Sequence, residues 1–143
     1  MHTIHHLFHI NSPIVKVFLA LTDVDKLKQW YTTDVKGSSK LNETLSMTFG
    51  QATFDVKIIE REESKRLVWE CIDSSMPFIG QITSFSLDTN DEKTRVRVSI
   101  SGFEALDDMY ANLNFSWAKY LESLRQFCQN GTSEAFGSKG YRS

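Results

Sequence analysis

Apolar residues recur near the end of the chain at Leu106, Met109, Tyr110, Leu113, Trp117, Tyr120, Leu121, Leu124 and Phe127. Steps of three and four, with adjacent pairs, keep them on one face of a 3.6-residue helix. Asp107, Asp108, Asn112, Ser116, Lys119, Glu122, Ser123, Gln126 and Gln129 fall on the opposite face. The pattern predicts a helix over 104–130, about 35–40 Å long at about 1.5 Å per residue. So long an aromatic-rich stripe needs a broad apolar surface to cover it. Phe115 stands off the stripe, either as an ordinary exposed apolar residue or as part of a dimer surface.

Upstream, the period changes from 3.6 to 2. Leu45, Met47 and Phe49 alternate with polar or small neighbours, as do Phe54, Val56 and Ile58, then Leu67, Trp69 and Cys71. Phe85 and Leu87 continue the pattern, and Val96, Val98 and Ile100 alternate with Arg95, Arg97 and Ser99. These are half-buried strands of an antiparallel sheet. Asp34 to Lys36 adds a short strand. Gly37-Ser38-Ser39-Lys40, Gly50-Gln51, Glu62 to Lys65 and Thr89 to Glu92 read as turns, and Gly102 is expected to end the last strand before Phe103. At the start, 3–10 reads as a strand with His6, Phe8 and Ile10 inward. Ser12 is the expected N-cap of a first helix, with Pro13 at its first position. Ile14, Val17, Phe18 and Leu21 form its buried stripe. Thr22 or Asp23 caps a short second helix ending near Trp30-Tyr31.

Composition narrows the function. The chain has 143 residues, 41% hydrophobic and 24% charged, enough for one domain with a real core. A net charge of −2 gives no footprint for nucleic acid or an anionic membrane. No apolar run of about 18 residues predicts a membrane span, and the first residues do not read as a secretion signal. Two cysteines, Cys71 and Cys128, do not make a disulfide framework, so the cytoplasm is the expected compartment. The domain is placed at 1–131, and the small, polar segment 132–143 is expected to be a flexible tail.

The order is strand, two short helices, six strands and a long helix: an α+β helix-grip arrangement, with a curved antiparallel sheet of six to seven strands around the C-terminal helix. Here the chain resembles the START-like (SRPBCC) superfamily, and within it the group named for the C-terminal domain of the Hsp90 ATPase activator. The resemblance is carried by Ile10-Asn11-Ser12-Pro13-Ile14-Val15-Lys16-Val17-Phe18-Leu19-Ala20-Leu21-Thr22, by Leu27 to Trp30, and by Lys65-Arg66-Leu67-Val68-Trp69-Glu70. Thr94 to Val98 leading to Ser101-Gly102-Phe103, and Trp117 to Leu124, match as well. It covers about residues 3–131, and its motifs carry fold more than function. The resemblance implies a deep pocket between sheet and helix. Members bind lipids, sterols, plant hormones, polyketides and other apolar molecules, and some catalyse cyclisation or hydrolysis.

The expected ligand-binding residues are Trp30, Phe49, Phe54, Val56, Ile58, Trp69, Cys71, Met76, Phe78, Phe85, Val98, Met109, Tyr110, Leu113 and Trp117. They line an apolar ligand cavity or interlock as a filled core. Met76-Pro77-Phe78-Ile79 is an apolar run within a loop, either a gate or the start of a strand. His2, His5, His6 and His9 divide between the two faces of a strand without Cys or acidic neighbours. They read as solvated histidines rather than a zinc site, and Cys71 as a small buried hydrophobe rather than a nucleophile. No Ser-His-Asp set, Gly-rich phosphate loop or CxxC occurs, so neither catalytic residues nor cofactor nor metal is expected. Asp107 and Asp108 suit the first turn of the long helix. The function expected is binding of a small hydrophobic molecule by a monomer or homodimer. The alternatives are an enzyme using the same cavity for acid/base chemistry and a chaperone-interacting protein.

Overall fold

The computed structural model describes residues 1–143. Its elements are β1 (His2–Ile10), α1 (Ile14–Thr22), α2 (Val24–Trp30), β2 (Asp34–Gly37), β3 (Thr44–Phe49), β4 (Ala52–Glu62), β5 (Arg66–Ser74), β6 (Ile82–Asn90), β7 (Lys93–Phe103) and α3 (Asp108–Asn130). The strands form one sheet in the order β1-β7-β6-β5-β4-β3-β2. Every pairing is antiparallel, and all but β1–β7 join strands adjacent in sequence. The pair α1–α2 carries the chain from one edge of the sheet to the other. This is the expected α+β helix-grip architecture.

Bulges bend the sheet. Between β4 and β5 the register slips twice, leaving Ile72 and Ile59 without opposite partners. Both are exposed. An extra residue bends its strand and increases local twist, and here it turns Phe54, Val56, Trp69 and Cys71 toward a concave inner face. Gly102 is a third such residue. It does not end β7 as expected: pairing passes from Ser101–Thr3 to Phe103–His2 across it. Its φ of +100° is a conformation that glycine adopts without a side-chain clash.

The helix ends also differ in detail. Pro13, not Ser12, occupies the N-cap of α1, without a side-chain capping bond. The Ser12 hydroxyl is buried without a partner, and its carbonyl accepts from Thr94 Oγ1 at 2.7 Å. Asp23 caps α2 as expected, accepting from the Asp25 and Lys26 amides. The long helix starts at Asp108, four residues later than the expected 104. Asp107 caps it by accepting from the Tyr110 amide at 3.0 Å. Leu106 therefore lies outside the helix and is 65% exposed.

The two halves of α3 have different surroundings. Leu121, Ser123, Leu124 and Cys128 in its second half are buried, within a core that includes Leu21, Leu27 and Trp30. Trp30 Nε1 donates to the Ala20 carbonyl at 2.7 Å, and Ser123 Oγ donates to the Trp30 carbonyl at 2.7 Å. These bonds lock α1, α2 and the C-terminal half of α3 together. Asp108, Met109, Ala111, Asn112 and Phe115, in the first half, are exposed.

The segment expected to be a flexible tail folds back. Thr32 and Phe136 form a bridge. The Phe136 amide donates to the Tyr31 carbonyl, and the Thr33 amide to the Phe136 carbonyl, both at 3.0 Å. Ala135 is fully buried. Phe136 packs on Phe49, and Tyr141 on Tyr120 and Phe136. Two half-buried aromatics thus anchor a segment whose polar composition suggested disorder.

Candidate functional site

Because the sheet bends away and α3 is buried mainly along its C-terminal half, touching β1 and β7 through Tyr110 near its start, a space remains between them. The cavity has a volume of about 570 Å³, and 15 of its 20 lining residues are hydrophobic. The sheet supplies Met47 and Phe49 from β3, Ala52, Phe54 and Val56 from β4, and Trp69 and Cys71 from β5. Gln81 immediately precedes β6, Thr83 lies at its start, and Ile100 lies on β7. Tyr31 follows α2. The helix contributes Asp108, Met109, Asn112, Leu113, Ser116, Trp117 and Tyr120.

Of the residues expected from the sequence, Phe49, Phe54, Val56, Trp69, Cys71, Met76, Phe78, Met109, Leu113 and Trp117 line this space. Trp30, Ile58, Phe85, Val98 and Tyr110 do not. Trp30 and Ile58 are fully buried in the core, where Ile58 pairs with Trp69. Phe85 packs edge-on against Trp69 and Trp117, and Val98 lies opposite Phe85 on β7. Tyr110 turns away toward Phe103. Its hydroxyl donates to the Thr3 carbonyl at 3.4 Å. For Ile58, Phe85 and Val98 alternation identified the inward face, and for Tyr110 the helical stripe did, but neither pattern shows whether another side chain already fills the space beyond it.

The polar lining was harder to read. Asp108, Asn112 and Ser116 form an i, i+4, i+8 row, so they share one side of α3. The apolar stripe placed that row opposite the sheet. In the structure the cavity meets α3 obliquely and takes one edge of each row. Gln81, Thr83 and Tyr31 were missed because each stands at an element boundary or among polar neighbours. The adjacency of Tyr31 to Trp30 was the one signal available.

Tyr31 is the hub of the wall. Its ring centroid lies 5.0–5.9 Å from those of Trp30, Phe49, Trp69, Trp117 and Tyr120. Burial pushes its phenol well above the usual tyrosine range. Burial raises Tyr120 in the same direction, with Tyr141 adding to it. The Cys71 thiol is raised chiefly by burial and contacts the Asp73 carbonyl at 3.5 Å. Cys128, away from the cavity, is pushed up to about 11 by burial. Both thiols are therefore kept protonated, the opposite of a reactive cysteine.

Met76-Pro77-Phe78-Ile79 is a loop between β5 and β6, not the beginning of a strand. Phe78 is buried and stacks on Phe54 at 5.7 Å with an interplanar angle of 9°, while Met76 and Ile79 are exposed. The loop is closed at its base by the Gly80 amide donating to the Cys71 carbonyl at 2.8 Å. The histidines of β1 split between faces, with His2, His5 and His9 exposed and His6 half-buried. Burial lowers His6 below the usual range, and the nearby Asn114 side chain opposes that shift.

A family model described as "Activator of Hsp90 ATPase homolog 1-like protein" matches residues 11–129. Among solved structures, the Aha1 dimer from Colwellia psychrerythraea is 31% identical, with a TM-score of 0.86 over 92% of this chain and 98% of that one. DynU16, a putative protein of the dynemicin biosynthetic locus, is 19% identical with a TM-score of 0.78, covering 92% of this chain and 48% of that one. MLL2253 from Mesorhizobium loti is 21% identical, with a TM-score of 0.77 over 87% and 95% of the two chains. The last two show the fold alone. No curated protein sequence matches the chain. No helix is long and apolar enough to cross a membrane. With a family model spanning nearly every element and a 31% identical structure of the same topology, the chain belongs to the Activator of Hsp90 ATPase homolog 1-like family of helix-grip, START-like domains.

Proposed function

We propose that this domain binds a small apolar or amphipathic molecule between its sheet and the N-terminal half of α3. One observation carries the reading. Protein interiors pack closely, with few voids larger than a water molecule, yet here about 570 Å³ stays open beneath an aromatic wall. That volume lies in the usual range for small-molecule sites. A catalytic use would need an acid or base inside. The one carboxylate of the wall, Asp108, stands at the exposed start of α3. Binding therefore fits the lining better than acid/base chemistry.

Native mass spectrometry of freshly purified protein, followed by denaturing extraction, tests the proposal. The expected result is a small apolar adduct lost on unfolding. An apo mass, together with no thermal shift from a panel of apolar ring compounds, would overturn it.

A second reading concerns assembly. The Colwellia relative is a dimer, and Phe115 of this chain is 67% exposed on the outer side of α3. We propose a homodimer through that side. Sedimentation should show a dimer that Phe115→Asp dissociates, and a monomer at all concentrations would refute it.

A further inference from the structure

The polar atoms of the cavity narrow the kind of molecule it accepts, given that it binds one at all. Tyr31 is 7% and Thr83 9% exposed, and both line the cavity. Neither hydroxyl makes a hydrogen bond within the protein, although those of the buried Thr22, Thr32, Ser123 and Thr94 do; the Ser12 and Thr132 hydroxyls are also unpaired, but they are closed off from the cavity. Polar groups of nearly buried residues are normally paired, and the Tyr31 and Thr83 oxygens are not sealed in the wall but remain open to the cavity. A hydroxyl facing an apolar cavity finds its partner in whatever enters. The Trp69 indole N–H also lacks an acceptor, but it is sealed inside the wall. No Lys, Arg or His lines the cavity, and its single charge, Asp108, is negative. A carboxylate or phosphate brought inside would be buried with no counter-ion, which is strongly unfavourable.

We propose that the ligand is a neutral ring compound carrying an uncharged acceptor, such as a carbonyl oxygen, which the Tyr31 and Thr83 hydroxyls bind while the aromatic wall holds the ring. Aromatic side chains pack well on rings through offset and edge-on contacts. The phenol, held protonated by burial, is a donor at every physiological pH. Anionic amphiphiles such as fatty acids are excluded by the same lining.

The proposal rests on the cavity being a ligand site, and three probes of one shape separate the two claims. They are 2-acetylnaphthalene, 2-ethylnaphthalene and 2-naphthoate, titrated calorimetrically at neutral pH. The ketone should bind about three- to tenfold more tightly than the ethyl compound, the worth of one neutral hydrogen bond, and the carboxylate should bind most weakly. In the Tyr31→Phe, Thr83→Val double variant the ketone's advantage should vanish while the affinity of the ethyl compound is retained. Should that variant fold poorly, the infrared carbonyl stretch of the bound ketone in the wild type gives the answer instead. A shift to lower frequency than in hexane supports the bond, and an unshifted band overturns it. Equal affinity for all three probes, or tightest binding of the carboxylate, overturns this inference and leaves the cavity reading standing. Binding of none of them overturns both.

Discussion

Ser123→Ala tests the clamp that leaves the cavity open at one end of α3 and closed at the other. The Trp30 carbonyl lies in the last turn of α2, where helix carbonyls lack intrahelical partners. Ser123 Oγ supplies the missing donor at 2.7 Å. Ser123 is 3% and Trp30 0% exposed, so water does not replace the bond. Removing one partner leaves a buried acceptor unsatisfied, at a cost of about 1–3 kcal/mol. The lost volume is a single oxygen, so almost none of this is a cavity effect; a neighbouring Leu124→Ala would cost about 2–5 kcal/mol by cavity creation instead. At about 2–4 °C per kcal/mol for a chain near this size, Ser123→Ala should lower Tm by about 2–12 °C. Urea unfolding should show an earlier midpoint with an unchanged slope, the mark of a pure stability change. Ser116→Ala, at the cavity edge of the same helix, is the control and should stay within about 0.5 kcal/mol. If the two variants are indistinguishable, the clamp does not rest on this bond.

Three further predictions test other parts of the structure. Phe136→Ala removes the aromatic anchor of the returning C-terminal segment and should destabilise by about 1–3 kcal/mol, below the range for a fully buried phenylalanine, and make 132–143 the first site of proteolysis; unchanged proteolysis would mean the segment is loose already. Gly37→Ala should cost about 2–3 kcal/mol by chemical unfolding, because φ is +106° and a Cβ would stand 2.2 Å from the Thr44 carbonyl oxygen. The Glu122 carboxyl is held below the ordinary glutamate range by its hydrogen bonds from Arg125, both at 2.6 Å. A lowered folded-state value contributes stability above the unfolded-state value that disappears as pH falls through the folded one. Glu122→Gln should therefore flatten the loss of stability below about pH 5, and an unaltered acid limb would assign that loss to other groups.

Period and punctuation determined most of the architecture. Alternation at Phe54-Val56-Ile58 and Val96-Val98-Ile100 identified strands and their inward faces, because a strand repeats every two residues. The stripe through Trp117 and Leu124 identified the long helix in the same way, and side-chain chemistry narrowed the start of α2 to Thr22 or Asp23. These are local properties, written in neighbouring residues. The cavity is not local. Whether Phe49 lines it while Phe85 fills the core depends on the bulges at Ile59 and Ile72, which change the sheet's curvature without disturbing the hydrophobic pattern. The onset of α3 at Asp108, rather than 104, was set by the Asp107 cap against an apolar stripe that continued through Leu106. Ser12 had the chemistry of a cap but was drawn into contact with Thr94 on a strand more than eighty residues away. The last twelve residues read as loose because their composition is polar, but two aromatics suffice to hold them once Phe49 and Tyr120 present a matching surface. Tyr31 and Thr83, the two buried hydroxyls that face the open space, could be recognised only when the bonds available to every polar atom were counted in three dimensions.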